Sequence, residues 1–202
     1  MNMRSQWQDK IDADPEHSYR YARRFKDLAA SGADIDGEAR LIDAMAPRGA
    51  NILDAGCGAG RIAGYLAARG HHAYGVDIDK VLIEQARADF PDAEFTVGDL
   101  ADPRFGAYDV IVCAGNVMTF LHPGTRRTVL ANFYDQLATG NEHASRVVIG
   151  FGANRGYDFQ EFLDDAAHTG LQLQAGYSTW ELHPFTPESD FLVSVLVRAE
   201  DA

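Results

Sequence analysis

The sequence predicts an α/β fold with a mostly parallel sheet, and two observations carry that reading. From about Asn51 onward, short β-rich runs alternate with helical patterns of about 10 to 15 residues. That alternation is the signature of βαβ units, whose strands lie parallel. The last two β-rich runs are joined by ELHPFTPESD, too short for a crossover helix, so they pair antiparallel.

The elements follow in order. Five runs read as parallel strands: NILDAG (51–56), HAYGVD (72–77), EFTVGD (94–99), YDVIVCAG (108–115) and RVVIGF (146–151). The helix after the first run covers about Gly60 to Arg69 and stops at Gly70, a residue suited to a left-handed C-cap. The next has Asp79 as N-cap, with Leu82, Ala86 and Phe90 at helical spacing. A further helix is expected over Asp158 to Thr169, followed by strands LQLQAGYSTW (171–180) and FLVSVLVR (191–198). Residues 1–49 form a helical cap in two pieces, one opening at Asp14-Pro15 and one at Asp36, on a core of residues 50–202. Tyr21, Phe25 and Leu28 fall at i, i+4 and i+7 and read as the packed face of the first piece; Leu41, Ile42 and Met45 pack from the second. One domain is expected in all.

Composition narrows the function. A formal net charge of −12 disfavours nucleic acid, which needs a basic surface, and the Arg20, Arg23, Arg24 and Lys26 cluster reads as a solvated helix face. No apolar run reaches the roughly 20 residues of a membrane span, and the polar start MNMRSQWQDK lacks the apolar centre of a signal peptide. Cys57 and Cys113 are 56 positions apart and form no metal-binding pair. A cytoplasmic protein without a metal, acting on a small molecule, is the expectation; the sequence is silent on oligomeric state.

The stretch ILDAGCGAGR carries the first chemical signal. It places Gly56, Gly58 and Gly60 at the carboxyl end of a strand, where ligands collect in open α/β sheets. The dinucleotide fingerprint G-x-G-x-x-G requires a glycine at position 61, which is arginine. Three carboxylates end consecutive runs: Asp54, Asp77 and Asp99. Asp77, about 20 residues beyond the loop, can accept hydrogen bonds from two ribose hydroxyls. Asp99 can accept from an exocyclic amino group, with Ile78 and Leu100 beside the base.

ILDAGCGAGR, AYGVDID, FTVGDL and YDVIVCAGN resemble, in order and spacing, the motifs of class I S-adenosylmethionine-dependent methyltransferases. The resemblance covers roughly Ala50 to Phe151. It implies a Rossmann-like, doubly wound, seven-stranded sheet with an antiparallel C-terminal strand and helices on both faces. It also implies S-adenosyl-L-methionine as cofactor and S-adenosyl-L-homocysteine as product. Gly56, Gly58 and Gly60 would then approach the methionine portion, with Asp54 orienting it. Asp77 would take the ribose, and Asp99 the adenine amino group between Ile78 and Leu100. Backbone from Ala114 to Asn116 would face the ammonium and sulfonium. Both cysteines read as packing.

No acid–base motif stands out, so transfer by proximity and orientation is expected. Candidate catalytic residues are Asn116, Arg155 and Tyr157. Thr119, His122, Trp180, His183 and Phe185 could border the acceptor, while His17, Tyr21 and Arg24 could close the cofactor site. A non-catalytic S-adenosylmethionine-binding sensor or partner protein is the alternative. A nicotinamide-dependent oxidoreductase fits poorly with the loop spacing and the reversed strand.

Overall fold

In the computed structural model, which describes residues 3–102, 106–140 and 145–201, seven strands form one sheet in the order β3-β2-β1-β4-β5-β7-β6. β1 (Asn51–Ala55), β2 (His72–Asp77), β3 (Glu94–Val97), β4 (Val110–Cys113) and β5 (Arg146–Gly152) are mutually parallel. β7 (Phe191–Arg198) inserts antiparallel between β5 and β6 (Leu171–Tyr177). The order reverses direction at β1, so the carboxyl ends of β1 and β4 diverge and open a crevice between them.

Side-chain alternation along the central strands divides the core into two layers. Leu53, Ile111, Val147 and Ile149 point to one face, covered by α7 (Arg126–Gln136) and α8 (Phe159–His168) through Val129, Phe133 and Phe162. Ile52, Val110, Val112 and Val148 point to the other, covered by α3 (Gly37–Met45), α4 (Arg61–Ala67) and α5 (Lys80–Asp89) through Ile42, Leu66 and Ile83. The caps behave as their residue types dictate. Asp79 accepts from the amides of Val81 and Leu82, and Asp158 from those of Gln160 and Glu161.

The head differs from the sequence reading. It holds three helices, with α1 (Gln6–Ala13) and α2 (His17–Ala30) ahead of α3. α1 begins at a reciprocal capping box between Ser5 and Gln8. Asp14 caps a turn, accepting from the Glu16 amide at 3.1 Å, and α2 starts at His17, two residues past the proline. The stripe of Tyr21, Phe25 and Leu28 does not enter the core. Leu28 is 36% exposed, and the buried residues of α2 are Ser18 and Ala22.

Arg61 lies against part of that stripe. It occupies the place of the missing third glycine and fastens the head to α4. Its guanidinium makes two 3.0 Å bonds to Glu38, donates to the Ile35 carbonyl, and lies 5.1 Å from the Phe25 ring centre. Among the described residues, no helix is long and apolar enough to cross a membrane.

Candidate functional site

The chain leaves β1 through Gly56–Gly60 and enters α4. The Gly56 and Cys57 amides donate to the Val76 carbonyl at 2.8 and 3.0 Å, which holds the turn against β2. Gly56 has φ +79°, and a β-carbon there would overlap the Val117 side chain, so backbone freedom and lack of bulk are both required. The Gly58 amide donates to Asp77 Oδ2 at 2.8 Å.

Three strand-end carboxylates take three positions. Asp54 is buried beneath the loop, on the α4 side of the sheet, where Oδ2 accepts from the Ala63 amide at 3.1 Å. It therefore satisfies an otherwise open donor in the first turn of α4. Burial pushes its carboxyl up to about 7. Asp77 is half-buried and receives the Gly58 amide on one oxygen and the Asp79 amide on the other, at 2.9 Å. Burial raises it to about 6, against the pull of those donors. Each Asp77 oxygen keeps a second acceptor position. Asp99 accepts from the Ala101 amide at 2.9 Å, an interaction that forms the turn after β3.

A cleft of about 610 Å³, partly open to solvent, lies over these groups. Gly56, Gly58, Asp77, Ile78, Asp99 and Leu100 line it from the β1–β3 side. Gly115, Val117, Phe120 and Leu121 line it after β4, and Ser5, Trp7 and Tyr21 cover it from the head. Gly58 (φ +55°) and Gly115 (φ +70°) face each other beneath Tyr21. A β-carbon on Gly58 would lie 3.4 Å from the Tyr21 ring, and one on Gly115 3.9 Å from its hydroxyl. The slot between two bare backbone turns suits a narrow chain; the carboxylates beside apolar Ile78 and Leu100 suit a nucleoside.

The protein comparisons agree with that geometry. A methyltransferase-domain family model matches residues 52–140. A TehB-like S-adenosylmethionine-dependent methyltransferase from Corynebacterium glutamicum is 51% identical, over 92% of this chain and 100% of that one, with TM-score 0.87. The chain belongs to the class I S-adenosylmethionine-dependent methyltransferases. Among curated relatives, the magnesium-protoporphyrin O-methyltransferase of Rhodobacter capsulatus is 35% identical over 86 residues, 40% of this chain and 38% of that protein. The ubiquinone biosynthesis O-methyltransferase of Vibrio campbellii is 28% identical over 111 residues, 45% of this chain and 47% of that protein. The matches thus span less than half the length of either curated relative.

For this methyltransferase, the structure separates the residues singled out in the sequence. Gly56, Gly58, Asp77, Ile78, Asp99 and Leu100 come together in the cleft. Asp54 lies beneath it, Gly60 packs on Phe95 and Ala86, and Ala114 is buried at the end of β4. Gly115, between Ala114 and Asn116, is the residue of that turn facing the cleft. Asn116 adopts φ +66°, and its Oδ1 accepts from the Gly152 amide at 2.8 Å, bridging the ends of β4 and β5.

Tyr157 is buried away from the cleft, with its ring against Phe151 and its hydroxyl donating to Asp165 at 2.8 Å. Arg155 is exposed, and its side chain folds back over Gly152 next to Asn116. Thr119 is buried and donates to the Asn116 carbonyl, while His122 accepts from the Gly124 amide. Trp180 covers Gly150, Phe185 meets Phe159, and His183 is exposed in the β6–β7 turn. Both thiols are free and buried, and burial raises both above their ordinary value.

Ser5, Trp7, Val117 and Phe120 went unread in the sequence. The Ser5-x-x-Gln8 pattern was the available signal for α1, and hence for Trp7 in its first turn.

Proposed function

We propose that this methyltransferase binds S-adenosyl-L-methionine in the cleft and transfers its methyl group to a small-molecule acceptor, mainly by proximity and orientation. One observation carries the reading: Asp77 and Asp99, at consecutive strand ends, face the same cleft as the bare Gly56–Gly58 turn. The spare acceptor positions of Asp77 would take the two ribose hydroxyls, and Asp99 the adenine amino group. Ile78, Leu82 and Leu100 would keep water from the base. The Gly58 and Gly115 backbones would flank the methionine portion, and Asp54 would act from below by holding the loop on α4.

When bound, the cofactor supplies a methyl group on a positively charged sulfur, already activated for in-line displacement. The chain's contribution is alignment and exclusion of water, which Trp7, Tyr21 and Phe120 supply by roofing the cleft. A small-molecule acceptor is supported by the names of the two curated O-methyltransferases. We place the protein in the cytoplasm, where two free thiols stay reduced.

Calorimetry with S-adenosylmethionine, S-adenosylhomocysteine and NAD tests the cofactor: the first two bind at one site per chain and NAD does not. Release of S-adenosylhomocysteine across a panel of small hydroxyl, amine and thiol acceptors tests the transfer. Binding without release across that panel removes the catalytic reading and leaves a cofactor-binding protein.

A further inference from the structure

The first two helices of the head, α1 and α2, share one buried carboxylate of the core. Asp79 is 2% exposed, and its Oδ1 caps α5 by accepting from the Val81 and Leu82 amides at 2.9 and 3.3 Å. Its Oδ2 faces the opposite way, where it accepts from the Trp7 indole nitrogen at 2.9 Å and from the Ser18 hydroxyl. Trp7 belongs to α1 and Ser18 to α2, so one oxygen gathers both helices. The Asp79 amide donates to Asp77, whose other oxygen holds the Gly58 amide. A continuous chain of hydrogen bonds thus runs from the head to the glycine turn.

Three further ties of α1 and α2 to the core are of another kind. Lys26 pairs with Asp89 at 2.8 Å on an open surface, and Lys10 lies 5.9 Å from the Phe120 ring centre. Arg61 meets Phe25 through its ring face and spends its directional bonds on α3 and the segment before it. Exposed pairs of this sort contribute little. Two donors on a buried carboxylate contribute more, and they carry direction.

That direction matters because of what the head presents to the cleft. The Trp7 ring stands edge-on to Tyr21 at 5.2 Å and to Phe120 at 5.6 Å. Tyr21 in turn covers Gly58 and Gly115. Trp7 and Tyr21 cover the cleft above Asp77 and the two turns, so a shift of α1 and α2 would widen its mouth. Such a shift costs the two donors of Asp79 but leaves the cap of α5 and the Asp77 carboxylate intact.

We propose that Trp7, Ser18 and Asp79 form a latch that sets how fast cofactor and product exchange. The proposal rests on the cofactor reading above. Closed, the latch holds Tyr21 and Trp7 over the bound nucleoside; open, it frees them while the floor of the site keeps its shape.

The test is the double variant Trp7→Phe with Ser18→Ala, which removes both donors but keeps an aromatic ring, Asp79 and the α5 cap. Dissociation of labelled S-adenosylhomocysteine, chased with excess S-adenosylmethionine, is expected to be about tenfold faster than in the wild type, the scale of losing charge-assisted bonds. Ser18→Ala alone gives a smaller acceleration, and Ser18→Thr, which keeps the hydroxyl, restores the wild-type rate. Amide exchange should rise across residues 6–30 and stay unchanged in α4 and α5, which also shows that the variant is folded. Wild-type dissociation and exchange in the double variant would overturn the latch. Failure of the wild type to bind S-adenosylhomocysteine at all would instead overturn the cofactor reading.

Discussion

The two halves of the sheet's carboxyl edge use polar side chains in opposite ways. Around β1, β2 and β3, carboxylates accept from backbone amides of the turns that build the cleft: Asp54 from Ala63, Asp77 from Gly58 and Asp79, Asp99 from Ala101. Around β4 and β5, polar side chains join structural elements to each other. Asn116 bridges the two strand ends, Tyr157 anchors to Asp165, and buried Arg126 donates to the Gly156 carbonyl. The first half gathers carboxylates under and beside the glycine turn. The second supplies a rigid wall. A polar residue near a strand end is therefore informative about ligands only after its own hydrogen-bond partners are known.

The largest effect separating the halves is a pH effect on stability. Burial raises Asp54 to about 7 and Asp77 to about 6, above the usual carboxylate range. The native state thus holds protons that the unfolded chain has already released, and stability falls as pH rises between these values. For Asp54 the window runs from about pH 4, the unfolded value, to about pH 7, with no further change above it. Asp54→Asn removes the charge while keeping an acceptor for the Ala63 amide. Measured by denaturant unfolding, the wild type should lose on the order of 2–4 kcal/mol relative to this variant across that window. Parallel curves would show that Asp54 ionises in its ordinary range and that no charge is stored under the loop.

Next in size is the effect of Asp77→Ala on ligand binding. It removes a carboxylate that both organises Gly58 and faces the cleft. The expected result is affinity for S-adenosylhomocysteine weaker by about 1–3 kcal/mol in calorimetry, with unfolding still cooperative. Protonation takes up part of this carboxylate's acceptor capacity and removes its charge, so wild-type affinity should also fall as pH drops below about 6. Unchanged affinity would end the ribose assignment and, with it, the contrast between the halves.

What was legible in the sequence follows that contrast. Strand–helix alternation is a local pattern, and HAYGVD and FLVSVLVR run over the same residues as β2 and β7. The glycine turn and its carboxylates were readable because each needs a particular residue type at a particular place. The head was harder to read. Tyr21, Phe25 and Leu28 have the spacing of a core-facing stripe, yet Asp79 holds Ser18, Arg61 meets the Phe25 ring, and α2 lies over the cleft instead. Periodicity identifies an apolar face but not the surface it will cover. The setting of Tyr157 was hidden for a related reason: its partner Asp165 lies eight residues on, in the following helix, and nothing in GANRGY marks the pairing.

Tyr157→Phe is the smallest and most discriminating change. The phenol donates to Asp165, which also receives the Arg127 guanidinium at 2.6 Å, and Arg126 lies 3.9 Å from the ring centre. Burial and the Asp165 carboxylate push the phenol well above its ordinary value. Phenylalanine keeps the ring against Phe151 and under Arg126, and only the hydroxyl bond is lost. Thermal or denaturant unfolding should show a loss of about 1 kcal/mol, because Asp165 retains its arginine. Affinity for S-adenosylhomocysteine should match the wild type. The reverse outcome, full stability with turnover lost, would place Tyr157 at the acceptor and make the β4–β5 half a working surface. The two halves would then differ only in which ligand they face.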